Sequence, residues 1–178
     1  MENQINYKFS NKIHGLFIIN PFVFRDKRGS NCETYHVDKF LSILSKFSEF
    51  NFPTTFSVDS HSVSRKSVIR GMHADNFNFK LISCIYGEVF FVVIDIRRKS
   101  PTVDNIEYFN LIGNDFTQIL IPKGCAIGYQ CLSNRCGFNY KFSYSYTPIN
   151  QQIQIKYNDP KYNISWPLSN PILSDRDK

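Results

Sequence analysis

Short apolar runs recur along this chain. Gly, Pro, Asn and Asp interrupt them at intervals of roughly ten residues, the spacing of an all-β domain. "KLISCIY" (80–86) and "EVFFVVIDI" (88–96) are separated by Gly87 alone, which predicts a tight connection. "TQILIPKG", "CAIGYQCLS" and "GFNYKFSYSY" follow with turns between them. In "EVFFVVIDI" both alternating faces are apolar, so this strand is expected to be covered on both sides. One segment has a different period. In "VDKFLSILSKF" (37–47), Phe40, Leu44 and Phe47 fall at helical spacing and Asp38 can cap the start. The pattern predicts an all-β fold, a β-sandwich or short barrel with a peripheral helix.

"GFNYKFSYSY" carries a further signal. Alternate side chains of a strand share a face, so Phe138, Tyr140, Phe142, Tyr144 and Tyr146 point one way. Such a stripe is ordinarily core. A tyrosine hydroxyl needs a partner, however, so three tyrosines fit better at the wall of a wet cavity.

Composition narrows the class. The 178 residues suffice for one domain, residues 1–178, with a sizeable core and no internal repeat or linker. No apolar run reaches the roughly 18–20 residues of a membrane helix, so no membrane partner is expected. The start, "MENQINYKFSNK", lacks the apolar centre of a signal peptide, and a cytoplasmic location is expected. The five cysteines are odd in number and form no CxxC pair, so reduced, buried thiols are expected rather than a disulfide framework. The net charge of +6 suits an anionic partner such as a phosphate or nucleotide. The basic residues are scattered, apart from "RDKR" and "IRRK", and no nucleic acid is expected.

Few reactive motifs are present. There is no GxSxG elbow, P-loop or GxGxxG. The four histidines form neither an HxH pair nor an HExxH, and Ile127 stands in "IPKGCAIGY" where a small barrel could place a ligand. No metal is expected. Proton chemistry remains. "SRKSVIRGMHADNFNFKLISC" (64–84) holds Arg70, His73 and Lys80. A histidine can act as general base, a lysine can hold a developing oxyanion, and a tyrosine can return a proton. On the residues alone, a basic surface strand with a structural histidine explains this segment equally.

Seven blocks in order carry a resemblance: "FRDKRGSNCETY", "HSVSRKSVIRGMH", "GEVFFVVIDIR", "LIPKGCAIG", "FNYKFSYSYTP", "YNDPKYNISWPL" and "PILSDRD". Over roughly residues 13–177 the chain resembles the dTDP-4-dehydrorhamnose 3,5-epimerases. The resemblance implies a cupin-type jelly roll with a few short peripheral helices, working without cofactor or metal. It also implies a homodimer with exchanged N-terminal strands. The substrate implied is a nucleotide-linked 4-keto sugar, inverted at carbon 3, carbon 5 or both through an enolate.

The same resemblance implies roles for single residues. His73 matches the base and Asp177 the carboxylate paired with it. Tyr140 matches the acid on the other face, and Lys80 the charge near the keto oxygen. Arg70 matches a residue near the sugar and phosphate. Arg28 and Glu33 match substrate-contacting positions that, through strand exchange, serve the neighbouring subunit's site. Tyr146 matches an aromatic that stacks on the base.

The chain also departs from the family. It reads "VDSHSVS" where the family commonly reads "QDNHSRS", so Val58, Ser60 and Val63 replace polar residues. Ile127 stands in place of a histidine and Phe91 in place of an aspartate near the lysine. The segment from His73 to Lys80 is about three residues short. A site that loses hydrogen-bonding partners loses the matching ligand. These losses suggest a GDP-linked 4-keto hexose or heptose, of bacterial capsule or lipopolysaccharide synthesis, in place of dTDP-4-keto-6-deoxyglucose. The competing readings are that dTDP sugar itself, inversion at one carbon only, a keto-isomerase of similar fold, and a non-catalytic sugar-nucleotide binding module.

Overall fold

The computed structural model describes residues 5–145 and 147–178. The elements are β1 (Asn6–Phe9), β2 (Phe17–Asn20), β3 (Val23–Asp26), β4 (Gly29–Cys32), α1 (Val37–Leu44), β5 (Val58–Arg65), β6 (Ile69–Ala74), β7 (Lys80–Tyr86), β8 (Glu88–Asp95), β9 (Ile106–Ile112), β10 (Gln118–Ile121), β11 (Cys125–Cys131), β12 (Arg135–Phe142) and β13 (Ile153–Gln154). Six strands form one antiparallel sheet in the order β1-β2-β10-β7-β12-β5, and five form another in the order β13-β6-β11-β8-β9. β3 and β4 make a separate hairpin. Consecutive strands β10, β11 and β12 alternate between the two sheets, as expected of a jelly-roll sandwich.

Three apolar layers follow from the alternation of side chains. Val89, Phe91 and Val93 of β8 face Ile82 and Cys84 of β7 and Phe138 of β12 between the sheets. The other face of β8, Val92 and Ile94, packs under Ile164 and Trp166 of the C-terminal segment. This is why "EVFFVVIDI" is apolar on both faces. On the far side of the six-stranded sheet, Phe17, Leu81 and Leu120 are covered by Phe40 and Leu44 of α1.

Gly87 does not close a hairpin. It carries the chain from β7 in one sheet to β8 in the other, with φ at +76°, and a Cβ there would meet the Arg135 carbonyl at 2.3 Å. The helix is shorter than its sequence pattern. It ends at Leu44 and tightens to a 3-10 segment over Ser45–Phe50, and its N-cap is His36, with Asp38 inside the first turn. The aromatic strand also stops early. β12 ends at Phe142, and Tyr144 is 71% exposed. Tyr146 lies outside the described residues. Of the five cysteines, all free thiols, four are buried.

Candidate active site

A cavity of about 350 Å³ opens between the two sheets. β6 and β11 supply one wall, β5, β7 and β12 the other, and residues 174–177 close one end. β6 and β11 approach closely at Gly71 and Gly128. A Cβ on Gly71 would sit 2.5 Å from the Gly128 Cα, so only glycine admits this spacing. The pairing register shifts between Ile127 and Tyr129, and His73 comes to lie opposite Ile127.

His73 Nε2 lies 2.7 Å from Asp177 Oδ1. Asp177 is 5% exposed, and its second oxygen accepts a hydrogen bond from Ser174 Oγ at 2.9 Å. Burial alone would raise the Asp177 carboxyl, but the bonds from His73 and Ser174 outweigh it and hold the group below its usual range. An ionised Asp177 accepts a hydrogen bond from Nε2–H, so in the neutral ring Nδ1 carries the lone pair. The C-terminal segment that delivers Asp177 is fixed to the sheet. Ile172 exchanges backbone bonds with Ser67 and Ile69, and Arg176 is held by Gln152 and, through its carbonyl, by Gln154. The Asp177 prediction therefore falls on an ordered, buried carboxylate.

Tyr140 projects from β12 on the opposite wall. Burial pushes its hydroxyl well above the usual phenol range, so it holds a proton. The hydroxyl lies beside Ser62 and Tyr129. Tyr129 Oη in turn lies 3.0 Å from Ser62 Oγ and 2.8 Å from Ser64 Oγ. Arg70 Nε donates to Ser64 Oγ at 3.0 Å, which places its guanidinium at the cavity. Lys80, at the start of β7, has its side chain 7% exposed and its Nζ 2.9 Å from Asp75 Oδ2.

His73, Asp177, Tyr140, Lys80 and Arg70 thus share one cavity. Arg28 and Glu33 do not. Arg28 lies on the turn from β3 to β4, 80% exposed and paired with Asp26, and Glu33 pairs with Lys39 at the surface. Within this chain neither reaches the cavity. Of the replaced positions, Phe91, Ile127 and Ser60 line the cavity, whereas Val58 and Val63 do not. Among the described residues no group of three or more His, Cys, Asp or Glu side chains is arranged to hold a metal ion.

The sequence reading missed Asp75, Tyr129 and the Ser62–Ser64 pair of β5. A signal for the last two existed. Ser60, Ser62 and Ser64 alternate in "SHSVS", and Tyr129 alternates with Cys125 and Ile127, so both sets share an inward face.

The arrangement puts the His73 imidazole and a proton-holding phenol on facing walls, with the Lys80 side chain buried beside Asp75. A family model described as dTDP-4-dehydrorhamnose 3,5-epimerase matches residues 10–178. The chain is 37% identical to the dTDP-4-dehydrorhamnose 3,5-epimerase of Shigella flexneri over 169 residues, 93% of this chain and 90% of that protein. It is 30% identical to the dTDP-4-dehydrorhamnose 3-epimerase of Streptomyces niveus over 93% of this chain and 78% of that protein. The fold superposes with a TM-score of 0.87 on the solved dTDP-6-deoxy-D-glucose-3,5-epimerase of Legionella pneumophila in complex with dTDP-4-keto-L-rhamnose. That pair is 34% identical and covers 98% of this chain and 90% of the other. These relatives do not support the GDP-linked reading drawn from the lost contacts; they favour its dTDP-linked competitor. With the family model spanning residues 10–178 and both sheets superposing on a solved member, this chain belongs to the dTDP-4-dehydrorhamnose 3,5-epimerase family of nucleotide-sugar epimerases.

Proposed function

We propose that this protein inverts carbons 3 and 5 of dTDP-4-keto-6-deoxyglucose, a step of rhamnose synthesis. The observation that carries the reading is the placement of His73 and Tyr140 on opposite walls of one cavity. The 4-keto group acidifies the protons on both neighbouring carbons. His73, oriented by Asp177, removes one of them, and the electron pair moves into an enolate whose oxygen faces Lys80. Tyr140 returns a proton from the other face and the configuration inverts. Arg70 meets the phosphates.

Two further features support the dTDP-linked 6-deoxy sugar over a GDP-linked hexose or heptose. Val58 and Val63, two of the losses that suggested another nucleotide, lie off the cavity of this chain. Phe91 and Ile127 give the cavity an apolar wall, which suits a methyl group at carbon 6 better than a hydroxylated chain. Arg28 and Glu33 act in the site of the second subunit of a homodimer with exchanged N-terminal strands. The reaction takes place in the cytoplasm. Arg28→Ala should then weaken substrate binding although Arg28 is remote from its own cavity.

The test is turnover in D2O of a panel of dTDP- and GDP-linked 4-keto sugars. The expected result is deuterium at carbons 3 and 5 of the dTDP-linked 6-deoxy sugar. His73→Ala should abolish exchange and keep nucleotide-sugar affinity. Faster turnover of a GDP-linked sugar would overturn the assignment. Binding without exchange across the panel would make this a binding module.

A further inference from the structure

Lys80 forms a buried ion pair on the cavity wall with Asp75, a residue that has no part in the reaction proposed above. Both side chains are nearly inaccessible, 7% and 5% exposed. β6 ends at Ala74 and β7 begins at Lys80, and the five residues between them, 75–79, leave room for a single tight turn. That turn is organised by the Asp75 carboxylate. Oδ1 accepts from the Phe77 amide at 2.9 Å, the Asn78 amide at 2.7 Å and Asn78 Nδ2 at 3.3 Å. Oδ2 is directed at Lys80. Asn78 is itself fixed. Its Nδ2 reaches the Ser145 carbonyl at 2.8 Å and Thr147 Oγ1 at 3.0 Å, and its Oδ1 accepts from the Tyr144 amide at 3.0 Å. The carboxylate is thus bonded to its own turn, which Asn78 in turn ties to Tyr144, Ser145 and Thr147, before it meets the lysine.

We propose that Asp75 is a positioning residue of this site: it fixes the Lys80 ammonium, and keeps it charged, where the sugar's keto oxygen gains negative charge. This rests on the enolate reaction proposed above. A lysine side chain is a flexible four-carbon stem carrying a point charge, and burial favours its neutral form unless an opposite charge is close. Phe91 and Ile127 on the facing wall offer no such charge. Cys125 of β11 lies near Lys80, but burial pushes its thiol up to about 12 and it stays neutral. The other titratable groups on the cavity are His73, Asp177, His61, Tyr129, Tyr140, Arg70 and Arg176. The first two are engaged with each other, and Arg176 with Gln152. Asp75 is the carboxylate in contact with Lys80 among the described residues, and the Lys80 charge and the turn amides hold it ionised against the cost of burial.

The experiment compares wild type with Asp75→Asn, which keeps the shape of the side chain and removes its charge. Amine acylation followed by peptide mass spectrometry reads the charge of Lys80, since only a neutral amine reacts, with exposed Lys27 as internal reference. In Asp75→Asn, Lys80 should be acylated faster than in wild type across the pH range tested, with Lys27 unmoved. The turnover number should fall roughly ten- to a hundredfold while KM changes little, because the ammonium meets a charge that develops after binding. In a Lys80→Met background, Asp75→Asn should cost no further turnover, as expected of a residue acting through its partner. An unmoved Lys80 profile, an unchanged turnover number, or additive losses in the double variant would each overturn the proposal. If Asp75→Asn does not fold, Asn78→Ala decides. It loosens the carboxylate and keeps its charge, so turnover should fall with the Lys80 profile unmoved, and full turnover would overturn the proposal. If wild type acts on none of the 4-keto sugars, the reaction fails as a whole and the catalytic role of Asp75 falls with it. A shifted Lys80 profile would then show the ion pair standing apart from that failure.

Discussion

Asp177 follows Ser174, Asp175 and Arg176, a polar stretch that ordinarily marks solvated surface. Here it is buried, and it holds the ring proposed above as the base. A buried carboxylate that stabilises an imidazolium contributes through the positive charge that forms on the ring, so its loss should appear in turnover more than in binding. Asp177→Asn is expected to lower the turnover number by about a hundredfold or more with little change in KM, as read by steady-state kinetics. Family resemblance singled out His73, Asp177 and Tyr140, each in a matching block, and Lys80 between two blocks, and all four line one cavity. Asp75 was not legible. Its role depends on a shortened turn closing onto Lys80, a contact that no single-strand periodicity encodes. Arg28 and Glu33 were matched by their blocks, but within one chain they pair with Asp26 and Lys39 at the surface.

At the scale of elements, twofold alternation carried most of the architecture. β8 is buried on both faces because one meets the sheet opposite and the other meets Ile164 and Trp166. The helix was legible from Phe40 and Leu44, but its end was not. Beyond Leu44 the chain winds into a 3-10 segment interrupted by a non-helical Phe47. The stripe on β12 was read past Phe142 to Tyr144 because alternation cannot mark where a strand stops. The C-terminal segment makes the clearest prediction here. Its backbone bonds to Ser67 and Ile69 run through Ile172, upstream of the residues that reach His73. Removing residues 174–178 should leave the sandwich folded, with the melting temperature lower by only a few degrees. Proton exchange should be lost. Calorimetry and exchange on the truncated chain check the two halves separately.

For the whole molecule, pH dependence follows from three buried carboxylates. Asp75, Asp95 and Asp177 are each held below the usual range, burial opposing and hydrogen bonds or nearby cations prevailing. A group whose native pKa is depressed stabilises the fold above its unfolded value, about 3.9, and that contribution is lost as pH falls through the native value. Melting temperature should therefore be nearly flat from about pH 7 to about pH 5 and drop steeply below about pH 4. Asp95 lies away from the cavity, 0% exposed and bonded to Arg97, Ser100 and Thr102. Asp95→Asn should reduce the acid slope and the stability at neutral pH without moving the pH profile of turnover.

The central claim is that His73 and Tyr140 act from opposite walls, and Tyr140→Phe in D2O tests it most directly. With dTDP-4-keto-6-deoxyglucose as substrate, His73 should still remove a proton and return a deuteron to the same face. Mass spectrometry should then show deuterium entering the sugar while NMR shows the starting configuration retained. Inverted product formed at the wild-type rate would contradict the account.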